Sequence, residues 1–214
     1  MIDSDSDLDV VINQEYVPKR RRNFRRRVNF CVTFPGTIGH DIEFKEKFRL
    51  STECVAFLEN RLGQALQHSS LRNMALSPRQ QLLLFLRFVG TNGYYHLVAD
   101  AHGVSKATVC RVVRRVSGLV LNELENEYIR WPGNGIATAI QFQRKGGFPC
   151  VAACIDGTHI EISAPSHYEQ DYVNRYHTHS INCLAAAGPD YMIYFISSRW
   201  PGSVADARVL RNSQ

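Results

Sequence analysis

The sequence lacks any apolar run of the roughly 18 residues that a membrane-spanning helix needs, and residues 1–9 lack the basic and apolar regions of a signal peptide. We therefore expect neither secretion nor membrane insertion. A Cys-X-X-Cys pair is absent too, which gives little support to a zinc ribbon or a disulfide framework. The scattered cysteines, which we expect to be reduced and mostly buried thiols, are Cys31, Cys54, Cys110, Cys150, Cys154 and Cys183.

Charge is concentrated near the N-terminus. An acidic tip, residues 3–9, precedes the basic run Lys19–Arg27, and little apolar periodicity surrounds them, so we predict a disordered tail over residues 1–43. The basic run is typical of non-specific phosphate binding or of a nuclear import signal, and a solvated tail that does neither is the alternative. An import signal would place the protein in the nucleus, with the cytoplasm as an additional location. The net charge of +5 and pI near 9.0 fit a polyanion partner without requiring one.

Apolar spacing predicts a helical domain over residues 44–130. Ser51 and Thr52 can cap a helix whose apolar positions, from Val55 to Leu66, fall at three-to-four spacing. Ser77 and Pro78 then open a second helix, with proline at the tolerated first position. The apolar residues that follow place this second helix at the centre of the domain.

A helix-turn-helix pattern follows in the same domain. A short helix over 94–102 leads to Gly103, and Ser105 can cap a helix from Lys106. In that geometry Val109, Val112, Val113 and Val116 pack inward. The residues expected to face outward, near DNA phosphates or base edges, are Lys106, Thr108, Arg111, Arg114 and Arg115. Helical pairs joined by glycine also occur in plain bundles, which is the alternative interpretation.

The remainder of the chain reads as a linker and then strands. Residues 131–149 are predicted to be a linker with a short helix at 137–143. The apolar run 151–155 predicts a buried strand, with Gly157 supplying the bend after it. Residues 180–187 and 192–197 predict two further strands, joined as an antiparallel hairpin around the turn at 188–190.

Two aspartates, Asp156 and Asp206, each stand where a strand is expected to give way to a turn. Carboxylates are the ligands that hard divalent cations prefer, so the pair suggests a metal site. The alternatives are ordinary: Asp156 could form an Asx turn and Asp206 could cap a helix. Glu161 lies an odd number of positions from Asp156 on a regular strand, which makes it a poor third ligand. His159 could orient a carboxylate or a substrate, although a lone strand histidine is more often structural.

Several segments, in order, resemble the PIF/Harbinger transposase family: 156–165, 172–175 with 179–182, and 200–203 with Asp206 and 208–213. The similarity runs from about Phe44 to the last residue. It implies an RNase H-like nuclease whose acidic DDE set holds a divalent cation, Mg²⁺ or Mn²⁺. The family's first acid falls on Asp156 and its next on Asp206, which would therefore be catalytic residues and metal ligands.

The resemblance places the family's remaining acids beyond Gln214, so we expect an incomplete site that is inactive or weak. Some positions also depart from the family pattern. Ala205 and Ala207 stand where the family often has His and either Ser or Cys, and 176–178 replaces a common Lys-Gly pair. Such neighbours orient ligands, and losing one costs about 10- to 100-fold in affinity or activity.

Together these patterns predict an α+β chain: an N-terminal helical (helix-turn-helix) domain followed by an incomplete RNase H-like α/β nuclease domain over 150–214. The predicted function is a divalent-metal-dependent DNA endonuclease of Harbinger type. Its expected partners are DNA and, by resemblance, a Myb-like DNA-binding protein. The competing hypothesis is a non-catalytic DNA- or partner-binding protein that retains the helix-turn-helix.

Overall fold

The computed structural model describes residues 38–69, 75–91 and 93–212. The acidic tip and the basic run Lys19–Arg27 lie outside the described residues. In the part of the chain that is described, no helix combines the length and the apolar character needed to cross a membrane.

Six helices form the first half of the described chain. Two of the predicted caps are present: the Ser51 side chain accepts a hydrogen bond from the Cys54 amide, and Ser105 accepts one from the Thr108 amide. Both satisfy amides that have no partner inside the helix. The first helix begins before the predicted domain start at Phe44. The helices are α1 (Ile38–Phe48), α2 (Thr52–Leu66), α3 (Pro78–Thr91), α4 (Tyr95–His102), α5 (Lys106–Tyr128) and α6 (Gly135–Gly146).

The central helix is α3, as the sequence predicted. It packs against α2 and α5 on one side and α1 on the other. Leu82 and Leu84 are buried in the larger apolar cluster, while Leu83 and Leu86 are buried against Phe44 and Phe48 of α1. The predicted inward face of α5 is confirmed, since its four valines are buried.

Buried Gln81 of α3 closes the end of α2. Its amide nitrogen donates to the carbonyl oxygens of Leu66 and Leu76, at 2.9 and 3.0 Å. A polar side chain at this depth is stable because it satisfies carbonyls that would otherwise be buried without a partner.

His102 ends α4 inside the helical core, with 7% of its surface exposed. Burial, helped by the positive charge of Arg87, lowers the pKa of His102 from 6.5 to about 4. The unfolded chain therefore binds more protons than the folded one between these values, and stability falls as pH drops through that window.

We expect a loss of about 3 kcal/mol in the free energy of unfolding between pH 7 and pH 4 from this group. Urea unfolding of the wild type and of His102→Gln measures it, and an equal pH dependence in both proteins would contradict the assignment.

The second half of the chain is a three-stranded antiparallel sheet. Its strands are β1 (Cys154–Glu161), β2 (Ser180–Ala187) and β3 (Ile193–Pro201), in the order β1-β2-β3. A short 3₁₀ helix, Glu169–Tyr172, lies between β1 and β2, and helix α7 (Asp206–Arg211) follows β3. The predicted hairpin at 188–190 is confirmed, with β3 longer than expected.

The prediction of a buried strand at 151–155 was wrong. Strand β1 starts at Cys154 and runs on through Gly157, and Ile155 keeps 45% of its surface exposed. The apolar, β-branched run is typical of strand conformation, but burial depends on what covers the strand. Within the described sheet, β1 pairs only with β2.

Two other expectations differ from the structure. The segment 131–149 contains α6, which is longer than the predicted short helix because Asn134 caps its start and Gly147 ends it in the left-handed conformation, with φ 76°.

Among the described cysteines only Cys183 is buried, while Cys54, Cys150 and Cys154 are exposed. The expectation of mostly buried thiols was therefore wrong.

Candidate functional site

Asp206 is the first residue of α7 and is fixed to the sheet through β2. The side-chain nitrogen of Asn182 donates to Asp206 Oδ1 and to the carbonyl oxygen of Val204, both at 2.7 Å. Asn182 is itself 1% exposed. The cap residue of α7 is Ala205, so Asp206 does not cap the helix and its carboxylate turns towards the sheet.

The Asp206 carboxylate occupies the space over Gly157 of β1. A Cβ built at position 157 would lie 2.2 Å from Asp206 Oδ1 and 2.6 Å from Oδ2, distances that real Cβ atoms do not reach. Gly157 therefore does not supply a bend after the strand, as the sequence suggested. It leaves room for a carboxylate against a regular strand.

Asp156 approaches the same glycine from the other side. The β1–β2 register is continuous from 154 to 161, so neighbouring side chains leave β1 on opposite faces. The exposed Asp156 side chain bends towards the next residue, and its Oδ1 accepts a hydrogen bond from the Gly157 amide at 2.9 Å. An Asx turn would instead bond the amide two residues on. The structure thus brings both predicted acids to one residue, Asp156 at its amide and Asp206 over its Cα.

His159 and Glu161 have other surroundings. His159 Nδ1 lies 3.0 Å from the hydroxyl oxygen of buried Ser180, which also accepts from the Asn174 side chain. These contacts tie β1 to the segment before β2, which is a structural role. Glu161 is exposed at the far end of β1 and pairs in register with Ser180.

The fit of a divalent cation to these residues is partial. Among the described residues no group of three or more His, Cys, Asp or Glu side chains is arranged to hold a metal ion. Two carboxylates beside Gly157 supply oxygen donors of the type that Mg²⁺ and Mn²⁺ prefer, and water and substrate phosphate commonly complete such a set. Asp156 and Asp206 are the residues that would hold the cation.

The predicted DNA-contacting residues separate into two groups. Lys106, Arg111 and Arg114 are exposed on the first half of α5. Thr108 is half-buried, with its hydroxyl 2.9 Å from that of Ser105. Arg115 does not face outward as predicted, because it donates to the Ala65 carbonyl oxygen at 2.6 Å and closes the end of α2.

Sequence reasoning did not single out Asn182 as a site residue. The only local signal is polar alternation, since Ser180 and Asn182 share the buried face of β2. Nothing local shows that the Asn182 amide reaches Asp206.

Comparison with known proteins identifies the family of the segment that carries these residues. The family described as DDE superfamily endonuclease matches residues 155–214, which contain both aspartates. "Putative nuclease HARBI1" of Homo sapiens is 32% identical over 162 residues, 74% of this chain and 46% of that protein. The protein of the same name in Rattus norvegicus is 31% identical over the same length.

These matches support the family that the sequence motifs indicated, PIF/Harbinger. It is also similar to "Protein ALP1-like" of Arabidopsis thaliana, at 23% identity over 197 residues, which are 89% of this chain and 47% of that protein. The chain spans about half the length of the curated relatives it matches. No solved structure matches it. The matches support a nuclease-derived chain of the DDE type, and its α+β architecture is compatible with a DDE nuclease domain.

Proposed function

We propose that this chain carries part of the catalytic centre of a divalent-metal-dependent DNA endonuclease of Harbinger type. The observation that supports it most is the placement of two carboxylates against Gly157, within the segment that matches the DDE endonuclease family. Two carboxylates hold a hard cation weakly. We therefore expect weak or no cleavage by the described residues acting without further ligands.

Each residue has a defined task in this proposal. Asp156 and Asp206 hold the cation, Asn182 fixes the direction of the Asp206 carboxylate, and Gly157, which has no side chain, leaves room for that carboxylate beside β1. A bound divalent cation would supply activation of water and stabilisation of the leaving 3′-oxygen in phosphodiester cleavage. Arg175, Arg199 and Arg208 are exposed and are candidates for holding a substrate phosphate.

Metal binding and nicking test the proposal together. We expect Asp156→Asn to lower Mn²⁺ affinity, measured by calorimetry, by more than the ~10- to 100-fold that loss of a ligand's neighbour costs. Any Mn²⁺-dependent nicking of supercoiled DNA should disappear in the same variant. Glu161→Gln is the matched control, because it removes a carboxylate from the same strand away from Gly157. Equal affinities for wild type and Asp156→Asn would exclude Asp156 as a ligand.

A second function, DNA binding without cleavage, is supported by α4 and α5. Gly103 links them in the left-handed conformation, with φ 63°, and α5 presents Lys106, Arg111 and Arg114 to solvent. We propose that these two helices act as a helix-turn-helix, with α5 lying against DNA. The non-catalytic alternative keeps this role and discards the metal.

Salt-dependent binding to duplex DNA separates DNA-binding arginines from structural ones. Log affinity falls linearly as log salt rises. For every phosphate that the protein no longer neutralises, the magnitude of this negative slope decreases by about 0.9. We expect the double variant Arg111→Ala, Arg114→Ala to reduce the magnitude of the slope by about 1.8. Its free energy of unfolding should stay within ~0.5 kcal/mol of the wild-type value. Arg115→Ala should lower the free energy of unfolding by about 1.5–3 kcal/mol, because the carbonyls at the end of α2 would have no charged donor. An unchanged slope in the double variant would remove α5 from the DNA interface.

We also propose a nuclear location and a DNA-binding protein partner. The basic run Lys19–Arg27 supports an import signal and hence the nucleus. A Myb-like DNA-binding partner follows from the family resemblance alone. Deleting residues 19–27 and imaging the tagged protein tests the first, and co-purification with such a partner tests the second.

A further inference from the structure

A cleft of about 620 Å³ lies between the end of α5 and the turn that joins β2 to β3. Its walls include three aromatic rings, those of Tyr128, Trp131 and Tyr194, and the side chains of Glu127 and Asp190. None of these residues contributes to the site at Gly157. Tyr128 and Trp131 are exposed and Tyr194 is buried, so the cleft offers two accessible rings with carboxylates nearby.

The rings are placed for a compact guest. The Trp131 and Tyr194 rings have centroids 5.9 Å apart and are tilted by 48°, while Trp131 keeps 53% of its surface exposed. Because these two rings are only 5.9 Å apart, a nucleobase cannot lie between them. A cation needs only one exposed ring face, within about 6 Å of the ring centroid.

Asp190 supplies the counter-charge. Its Oδ1 accepts from the Tyr194 hydroxyl at 3.3 Å and from the Met192 amide at 3.2 Å, which fixes the carboxylate at the wall of the cleft. Burial and the nearby Asp190 charge raise the pKa of the Tyr194 hydroxyl, so the phenol keeps its proton and adds no charge. Glu127 contributes less, because it already pairs with Arg61 at 2.5 Å. The exposed guanidinium of Arg130 also lies on the lining. It repels a positive guest, so the charge of the guest must lie beside Asp190 and away from Arg130.

We propose that this cleft binds a lysine or arginine side chain of a partner polypeptide, with Trp131 and Tyr128 as the aromatic walls and Asp190 as the counter-ion. Nucleic acid is disfavoured as the occupant, because the Asp190 carboxylate, which has no cationic partner among the described residues, would repel its phosphates. The proposal goes beyond the nuclease function and does not depend on Asp156 or Asp206.

The chain has two tryptophans, Trp131 and Trp200, so Trp200→Phe in the full chain makes Trp131 the reporter. The probe is a short peptide with two arginines, and its counterpart with citrulline in place of arginine removes only the charge. In EDTA, to exclude metal effects, we expect the arginine peptide to quench Trp131 fluorescence saturably. The citrulline peptide should not.

Calorimetry on the chain with both native tryptophans then tests the roles of Trp131 and Asp190 in the cleft. Trp131→Ala should weaken binding of the arginine peptide by about 3- to 30-fold, and Trp131→Phe should recover part of it. Asp190→Asn, which keeps a hydrogen-bond acceptor, should also weaken binding. Phe148→Ala, an exposed aromatic outside the cleft lining, is the control and should have no effect.

Three results would overturn the proposal. One is equal binding of the arginine and citrulline peptides, and another is an affinity unchanged by Trp131→Ala. The third is saturable quenching by a single-stranded oligonucleotide together with no response to the arginine peptide, which would assign the cleft to a nucleobase. Circular dichroism of each variant confirms that it is folded.

Discussion

Gly157→Ala is expected to displace the Asp206 carboxylate and abolish metal binding at this site. The added Cβ would lie 2.2 Å from Asp206 Oδ1, so the Asp206 side chain must rotate out of this space and lose its hydrogen bond to Asn182, or the strand or the start of α7 must move. Overpacking of this kind costs about 1–3 kcal/mol. Urea unfolding measures the stability and calorimetry with Mn²⁺ measures the binding.

The control for this substitution is Gly118→Ala in α5, where an added Cβ meets nothing within 4 Å. Alanine there should stabilise the helix by up to ~1 kcal/mol. Asp206→Ala in the Gly157→Ala background should recover stability, because it removes the clash, and the double-mutant cycle gives the coupling. A Gly157→Ala protein with wild-type stability and Mn²⁺ affinity would show that the carboxylate does not occupy this space.

Asn182→Asp is expected to be the most destabilising single change at the site. It replaces a donor to Val204 and Asp206 by a carboxylate that faces a carbonyl and another carboxylate, in a position that is 1% exposed. An uncompensated buried charge costs about 3–5 kcal/mol. The free energy of unfolding at pH 7 measures this effect.

Asn212→Asp is the matched control, because Asn212 also donates to a carbonyl oxygen, that of Arg208, but on the surface. It should change stability by less than about 1 kcal/mol. If Asn182→Asp is no more destabilising than Asn212→Asp, Asn182 does not hold Asp206 in the folded protein.

Local signals predicted the helices and the hairpin well. Ser51 and Ser105 cap helices, and Pro78 begins one, because capping depends on a few neighbouring residues. The turn at 188–190 likewise sits between the two strands that it joins. Asn134 and Gly147 carry the same kind of signal for α6, in a segment that the sequence predicted to be a linker with only a short helix.

Contacts between distant segments were not predictable from the sequence. A glycine at position 157 suggests a bend from the sequence alone. Its place in a regular strand is explained only by Asp206, whose carboxylate fills the space that a side chain at 157 would need. Arg115 lies beside residues of the exposed face of α5, and its role depends on the carbonyls at the end of α2. In the sequence Asn182 looks like any other polar strand residue. Its role depends on the turn after β3, which places the two groups that it donates to, Val204 and Asp206, above it.

Iron-directed cleavage of the backbone tests most directly whether the two carboxylates at Gly157 hold a divalent cation. When hydrogen peroxide and ascorbate are added, Fe²⁺ bound in place of Mg²⁺ reduces the peroxide to hydroxide and a hydroxyl radical, and ascorbate regenerates the Fe²⁺. The radicals cut the chain next to the ion, and mass spectrometry maps the cuts. We predict cuts at 155–158 and 204–207 that excess Mg²⁺ suppresses, that Asp156→Asn removes and that Glu161→Gln leaves intact. Cuts confined to other segments, or cuts at these segments that persist in Asp156→Asn, would contradict the assignment of this site.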